Sequence, residues 1–181
     1  MEKETDIENS VSFSVLMTAK DIFRFSIHHS YCKLSGIIGL ILSLGAFVTL
    51  FTSFSSLGDS NKAVLLVVGL WFTVFEPFTL WSRSRSQAKR NPAYKMPLCY
   101  TINEEGITVS QEEQSQSIGW DKIVKVVKTS KQYLVYSSKI HAFVFPKESM
   151  GNQCEAFEDI VMEYGKKSGT KVSGKIKKHN M

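Results

Sequence analysis

Hydrophobic positions change period three times along the 181 residues. Val11, Phe13 and Val15 alternate with Ser12, Ser14 and Leu16, the period of two that predicts a short strand over Val11–Met17. Thr18 then offers an N-cap, with Asp21 at the capping-box position, for a helix through AKDIFRFSIHHSY. Ile22 and Phe25, with Phe23 or Ile27, share one face of that helix opposite Lys20, Arg24 and His28. This is the amphipathy of a helix lying at a membrane interface.

Two apolar blocks follow. Leu34 to Leu57 carries no formal charge over 24 residues, and as a helix would extend about 36 Å against about 30 Å of hydrocarbon. Its Gly36, Gly39 and Gly45 would let a neighbouring helix approach closely in lipid. The second block, Ala63 to Ser82, is interrupted by Glu76-Pro77. A central charge costs roughly 2.5–3.5 kcal/mol on the insertion scale, whereas the Leu, Val and Phe of this block return about 3–6 kcal/mol, so insertion stays favoured. The few residues between the blocks, Ser55 to Lys62, suit an antiparallel hairpin.

Beyond the second block the period returns to two. NPAYKMP ends the helical pattern, LCYTIN and ITVSQ predict strands about a turn at Gly106, and EEQSQ predicts a second turn. SIGWDKIVKVVKT is expected as a third strand carrying Ile118, Trp120 and Ile123 to Val127. YLVYSS is a fourth, and HAFVFP a fifth ending at Pro146. In CEAFEDIVMEYGKK, Phe157, Ile160, Val161 and Tyr164 recur at helical spacing, with Gly165 as the expected terminator. A meander capped by one C-terminal helix is the outline of a pleckstrin-homology-like (PH-like) barrel, to which Val11–Met17 would add a strand. The last segment, with six Lys and no acid, is expected to be a disordered tail.

Charge orients this plan. From Arg83 onward there are 17 Lys and Arg against 10 Asp and Glu, but up to Lys33 only 4 against 5. The loop between the blocks carries Asp59 and Lys62, while Arg83, Arg85, Lys89 and Arg90 directly follow the second block. The positive-inside rule therefore places both termini in the cytosol. Acids at Glu2, Glu4, Asp6 and Glu8 argue against a secretory signal. Cys32, Cys99 and Cys154 have neither disulfide nor zinc spacing, and His28, His29 and Cys32 make only a weak ligand pattern.

Candidate chemistry is sparse. The chain has no nucleophile elbow, Walker A loop, HExxH or dinucleotide fingerprint, and His141 stands alone on its strand, so no catalytic residue, cofactor or metal is assigned. Glu76 and Pro77 are the candidate intramembrane polar site: an acid beside a residue that lacks an amide donor. The bland alternative is a carboxylate that snorkels or pairs with Arg83. Arg83, Arg85, Lys89 and Arg90 are candidate lipid contacts, each worth about 1 kcal/mol near an anionic leaflet, and also topology determinants.

The chain resembles the YcxB-like family of small bacterial membrane proteins. The matching features are the N-terminal strand, TAKDIFRFSIHHS, the two adjacent apolar blocks, YTINEEGITV, SIGWDKIVKVVKTSKQYLVY and HAFVFPKESM, with Gly106, Trp120, Ile123 and Pro146 as landmarks. That resemblance implies the layout and a bacterial cytoplasmic (inner) membrane location, and no activity. The expected fold is an α+β membrane protein, a two-helix transmembrane hairpin plus an antiparallel PH-like β-barrel or meander capped by a C-terminal helix. Its expected parts are an N-terminal strand and interfacial helix at 1–33, spans at 34–57 and 63–82 around an external loop at 58–62, a basic linker at 83–97, the PH-like domain at 98–165 and a tail at 166–181. The expected function is non-enzymatic: an interaction module presented to an unknown protein partner, with no nucleic acid. The alternatives are lipid-headgroup or membrane-charge sensing, and a transport role through Glu76, which with two spans per chain would need a homo-oligomer.

Overall fold

The computed structural model describes residues 10–176. It divides into a helical unit, Thr18–Arg90, and a β-rich unit built from residues 10–17 and 91–176.

The helical unit opens with α1, Ala19–Tyr31, on the expected capping box: the Asp21 N–H donates to Thr18 Oγ1 at 3.3 Å and the Thr18 N–H to Asp21 Oδ2 at 3.2 Å. Then come α2, Leu34–Thr52, α3, Asp59–Leu70, a π turn at Trp71–Phe75, and α4, Glu76–Arg90. The last three form one 32-residue helix, Asp59–Arg90, about 48 Å long at 1.5 Å per residue. α2 packs against α3 and α1 against α4.

Three expectations shift here. The first apolar helix stops at Thr52, five residues early, because Ser53, Ser55, Ser56 and Gly58 supply turn formers, and the loop is 53–58 rather than 58–62. Glu76-Pro77 does not break the second helix; the π turn absorbs the proline. Arg83–Arg90 is helix rather than linker, since no breaker precedes Asn91-Pro92 and basic side chains suit a helix C-terminus.

In the β-rich unit, β1 (Val11–Val15), β2 (Leu98–Ile102), β3 (Gly106–Gln111) and β4 (Gln114–Gly119) form an antiparallel sheet in that order. The N-terminal strand therefore joins the strands that follow the apolar helices, with Phe13 opposite Tyr100. The β3–β4 turn is Glu112-Glu113 alone, with Glu112 at φ 53°, so the polar run read as a turn is mostly strand. Gly106 has φ 150°, and a Cβ there would strike the Ile118 carbonyl, so both conformation and space demand glycine.

The second sheet has the order β7-β6-β5-β8, from β5 (Lys125–Lys128), β6 (Gln132–Tyr136), β7 (Ala142–Pro146) and β8 (Lys171–Ser173). The expected third strand is thus two strands in different sheets, divided by a 3₁₀ turn at Trp120–Lys122. The expected tail contains β8, which pairs parallel with β5; residues 177–181 of that tail lie outside the described residues. β8 occupies the β5 edge that pairing with β4 would need, so among the described residues the sheets do not close into a barrel.

One core joins both sheets to the C-terminal helix. Phe145 packs edge-on against Phe13 at 5.1 Å, Tyr100 at 4.8 Å and Phe157 at 5.8 Å between ring centroids. α5 (Lys147–Met150) follows Pro146 and buries Met150. α6 (Cys154–Ile160) continues through a π turn at Val161–Gly165. Gly165 does not end it, but lies against the Trp120 ring. The helix stops at Gly169, φ 86°, in a Schellman motif: the Gly169 N–H donates to Lys166 O at 3.2 Å and the Thr170 N–H to Gly165 O at 3.0 Å.

Candidate functional site

Pro77 lacks an N–H, and the helix answers by shifting its hydrogen bonds one residue. The Glu76 N–H donates to Trp71 O instead of to Phe72 O, its α-helical acceptor. The Phe72 carbonyl is left without its usual donor, and the Tyr31 hydroxyl donates to it at 2.6 Å. The amide lost to Pro77 in sequence is thus answered by a side chain from the end of α1.

Glycine and phenylalanine interlock beside this turn. A Cβ on Gly39 of α2 would overlap the Phe72 ring, and one on Gly69 of α3 would lie 3.0 Å from the Phe47 ring, so each helix receives a ring from the other. Ser43, fully buried, donates to the Gly69 carbonyl. A Cβ on Gly36 would strike the Ser30 carbonyl, so glycine permits the elbow between α1 and α2.

Between that elbow and the π turn lies a half-open cavity of about 440 Å³, lined by Ser30, Tyr31, Lys33, Ser35, Gly36, Trp71, Phe72 and Glu76. Glu76 is half-buried and Lys33 exposed. Among the described residues Glu76 makes no ion pair, with Arg83 or with any other cation. Nearby, His29 stacks on Phe25 at 5.4 Å, and burial first, then Lys33 and His28, lowers its pKa below the ordinary histidine value.

The other predicted residues lie apart from this cavity. Arg83, Arg85, Lys89 and Arg90 are all exposed on α4. At 100° per residue Arg83 and Arg90 share one side and Arg85 and Lys89 the other, about the buried Ser84. Arg85 lies over the Trp81 ring at 5.4 Å. The landmarks are structural. Trp120 is buried and its indole N–H donates to Asn103 O at 2.9 Å, Ile123 is core, and Pro146 ends β7 opposite Gln132.

One cluster is absent from the sequence reading. On α6, Glu158 is 2% exposed and accepts from Lys128 Nζ of β5 at 2.6 Å and from the Tyr133 hydroxyl of β6. Lys147 Nζ sits 5.1 Å over the Tyr133 ring and donates to Thr129 O at 2.6 Å. Burial raises the pKa of the neighbouring Cys154 thiol, and burial followed by the Glu158 hydrogen bond raises that of Tyr133. Lys128 and Tyr133 are opposite one another in the β5–β6 register, so only correct pairing of two strands with a helix assembles the group. It ties α6 to the sheet; an isolated Glu158 in an amphipathic segment gives no such signal.

At the rim of the first sheet, β4 has β3 on one side and no strand on the other among the described residues. Gln114 to Ser117 are exposed and contain neither charge nor proline.

Known proteins agree with the β-rich unit. Residues 102–161, from β2 through α6, match the family described as YcxB-like protein. The chain is 24% identical over 105 residues to "Uncharacterized protein YcxB" of Bacillus subtilis (strain 168). That match covers 57% of this chain and 57% of the relative, so it spans little more than half of either. No solved structure matches. Over these strands and this helix, residues 102–161 are similar to the YcxB-like family, and the weaker likeness to the Bacillus subtilis protein points the same way.

Proposed function

We propose that this is a non-enzymatic integral membrane protein of the bacterial cytoplasmic membrane, whose two apolar helices tether a cytosolic PH-like module that docks a protein partner. Only 22% of the apolar stretch in Leu34–Thr52 and 6% of that in Asp59–Arg90 is buried, whereas a soluble protein's core helices would be mostly covered. Ile41, Leu42, Phe51, Val64, Trp71 and Phe78 stand among the exposed side chains. The uncharged loop 53–58 and the near-neutral start of α3, where Lys62 pairs with Asp59 at 3.2 Å, support cytosolic termini together with the four cations on α4. A 48 Å helix would carry those cations beyond the hydrocarbon.

The observation carrying the docking role is the β4 edge. Native sheets protect exposed edges with lysine, proline or a bulge, and β4 has none of these over Gln114–Ser117, with an unbroken β3–β4 register. An extended segment of a partner could add there as a fifth strand. Purification from native membranes in mild detergent, with copurified proteins and lipids identified by mass spectrometry, tests this. Adjacent substitutions Gln116→Pro and Ser117→Pro each remove one β4 amide, one of them facing outward. A stoichiometric partner lost in the outward variant supports the reading, and a partner indifferent to both variants defeats it.

Exposure of all four basic residues on α4 supports a second reading, recognition of anionic lipid. Copurified anionic lipid that is lost when Arg83, Arg85, Lys89 and Arg90 are neutralised, with no protein partner, would favour it.

A further inference from the structure

The cavity at the α1–α2 elbow presents two opposite charges that do not neutralise one another. Glu76 is half-buried in it, Lys33 lies exposed on its border, and among the described residues neither makes an ion pair. At about 440 Å³ it is the size of a small-molecule pocket. Its polar contributions separate by type. Glu76 lines the π-turn wall together with Trp71 and Phe72, and a carboxylate among aromatic residues is the chemistry that recognises an ammonium group. Lys33, with Ser30 and Ser35, lines the elbow wall, where the first turn of α2 has no side-chain cap on its amides. Those are the groups that recognise a phosphate.

We propose that this cavity binds an ammonium joined to a phosphate by a short linker, the chemistry of an ethanolamine phospholipid headgroup, with the ammonium at Glu76 and the phosphate at Lys33. Position favours the zwitterion over a simple cation or anion. A bare cation would leave Lys33 facing like charge, and a bare anion would leave Glu76 unneutralised in apolar surroundings. A bound zwitterion satisfies both, and the elbow that borders the site lies at the start of the apolar helix α2, where a headgroup would arrive. This assignment is independent of the β4 edge, and it uses the membrane reading only to name the source of the ligand.

The test uses the full-length protein purified in detergent. Native mass spectrometry compares retention of added phosphatidylethanolamine and phosphatidylglycerol by the parent chain, Glu76→Gln and Lys33→Gln. Calorimetry with free phosphoethanolamine distinguishes a soluble source. The expected result is at least tenfold preference for phosphatidylethanolamine, lost in Glu76→Gln, with retention of both lipids reduced in Lys33→Gln. Binding of phosphoethanolamine alone would keep the site and assign it to a soluble ligand, even if the membrane reading failed. Equal retention of the two lipids together with no phosphoethanolamine binding, or a preference unchanged in Glu76→Gln, would overturn the proposal. Should Glu76→Gln lose its helical circular dichroism, Lys33→Gln decides: unchanged retention of both lipids and unchanged phosphoethanolamine affinity would overturn it.

Discussion

The Tyr31 hydroxyl donates at 2.6 Å to the Phe72 carbonyl, which lost its α-helical donor when the Glu76 N–H turned to Trp71 O. The bond crosses 41 residues of sequence and exists because Pro77 has no amide to offer. It fastens the end of α1 to the one irregular turn of the long helix.

Removing that hydroxyl in Tyr31→Phe leaves a carbonyl unsatisfied in apolar surroundings and should cost about 1–3 kcal/mol. Pro77→Ala returns an amide to the helix, so Tyr31→Phe should cost less in that background, with a coupling of about 1 kcal/mol. Thermal unfolding of the four proteins in one detergent measures it. Equal penalties in both backgrounds would show that Pro77 is not the cause of the orphaned carbonyl.

The glycines of α2 should not respond alike. Gly39→Val drives side-chain atoms into the Phe72 ring and should lower the melting temperature of the detergent-solubilised protein by several degrees. At Gly45 a Cβ would meet nothing within 4 Å, so Gly45→Ala should be neutral or slightly stabilising. A Gly45→Ala variant as damaged as Gly39→Val would remove the packing argument.

How legible the fold was depends on the range of the interactions concerned. The Val11–Val15 alternation, the Thr18–Asp21 capping box and the Gly106 turn rest on neighbours within a few residues, and all are present. β8 was not legible, because three residues of a Lys-rich segment become a strand only when β5 offers an edge. Trp120 hid a change of sheet inside what reads as one strand, since a 3₁₀ turn leaves the hydrophobic pattern almost untouched. At the candidate site, Glu76 and Pro77 were visible as an acid and a missing donor. Tyr31 and Lys33 were not, because their role depends on an elbow that Gly36 permits.

Alkaline pH should destabilise the β-rich unit through buried phenols. Burial first, then Tyr94, pushes Tyr100 up to about 12 from an ordinary value of 10, so the folded state holds this proton more tightly than the unfolded state. The associated stability is complete below pH 10 and is lost as pH rises through about 12. Tyr133 acts in the same direction. Tyr100→Phe should therefore flatten the fall in stability between pH 10 and 12, by on the order of 2 kcal/mol at its upper end, in denaturant melts followed against pH. A variant with the same slope as the parent would contradict the assignment.

Thiol chemistry should separate the three cysteines. Cys154 is half-buried and burial raises its pKa above the ordinary thiol value of 9.0, whereas Cys32 and Cys99 are exposed. At neutral pH iodoacetamide should modify Cys154 several-fold more slowly than Cys99, as mapped by mass spectrometry on the folded protein. The gap should vanish in denaturant, and equal rates in the folded state would show that the thiol is not shielded.

The ion pair beneath α6 should reveal itself through asymmetric substitutions. Glu158 is 2% exposed, and the Lys128 ammonium 2.6 Å away is its cationic partner from β5. Lys128→Met removes the ammonium from a buried carboxylate that keeps its Tyr133 hydrogen bond; breaking a fully buried pair costs about 3–5 kcal/mol, and here the loss should be nearer 2, since Lys128 is 28% exposed. Glu158→Gln keeps an acceptor for the Tyr133 hydroxyl and leaves the Lys128 ammonium access to water, so it should cost less. The double variant Lys128→Met/Glu158→Met removes both charges together and should be milder than Lys128→Met alone, because no carboxylate remains buried beside a lost ammonium. Lys128 also holds the C-terminal strand: its Nζ donates to Lys175 O at 3.3 Å, and its own carbonyl lies too close to Gly174 for a Cβ there. Hydrogen exchange should therefore accelerate across Lys171–Ser173 in both variants that lack Lys128, and stay near the parent rate in Glu158→Gln. Exchange that tracked global stability alone, regardless of which partner was removed, would separate β8 from the ion pair.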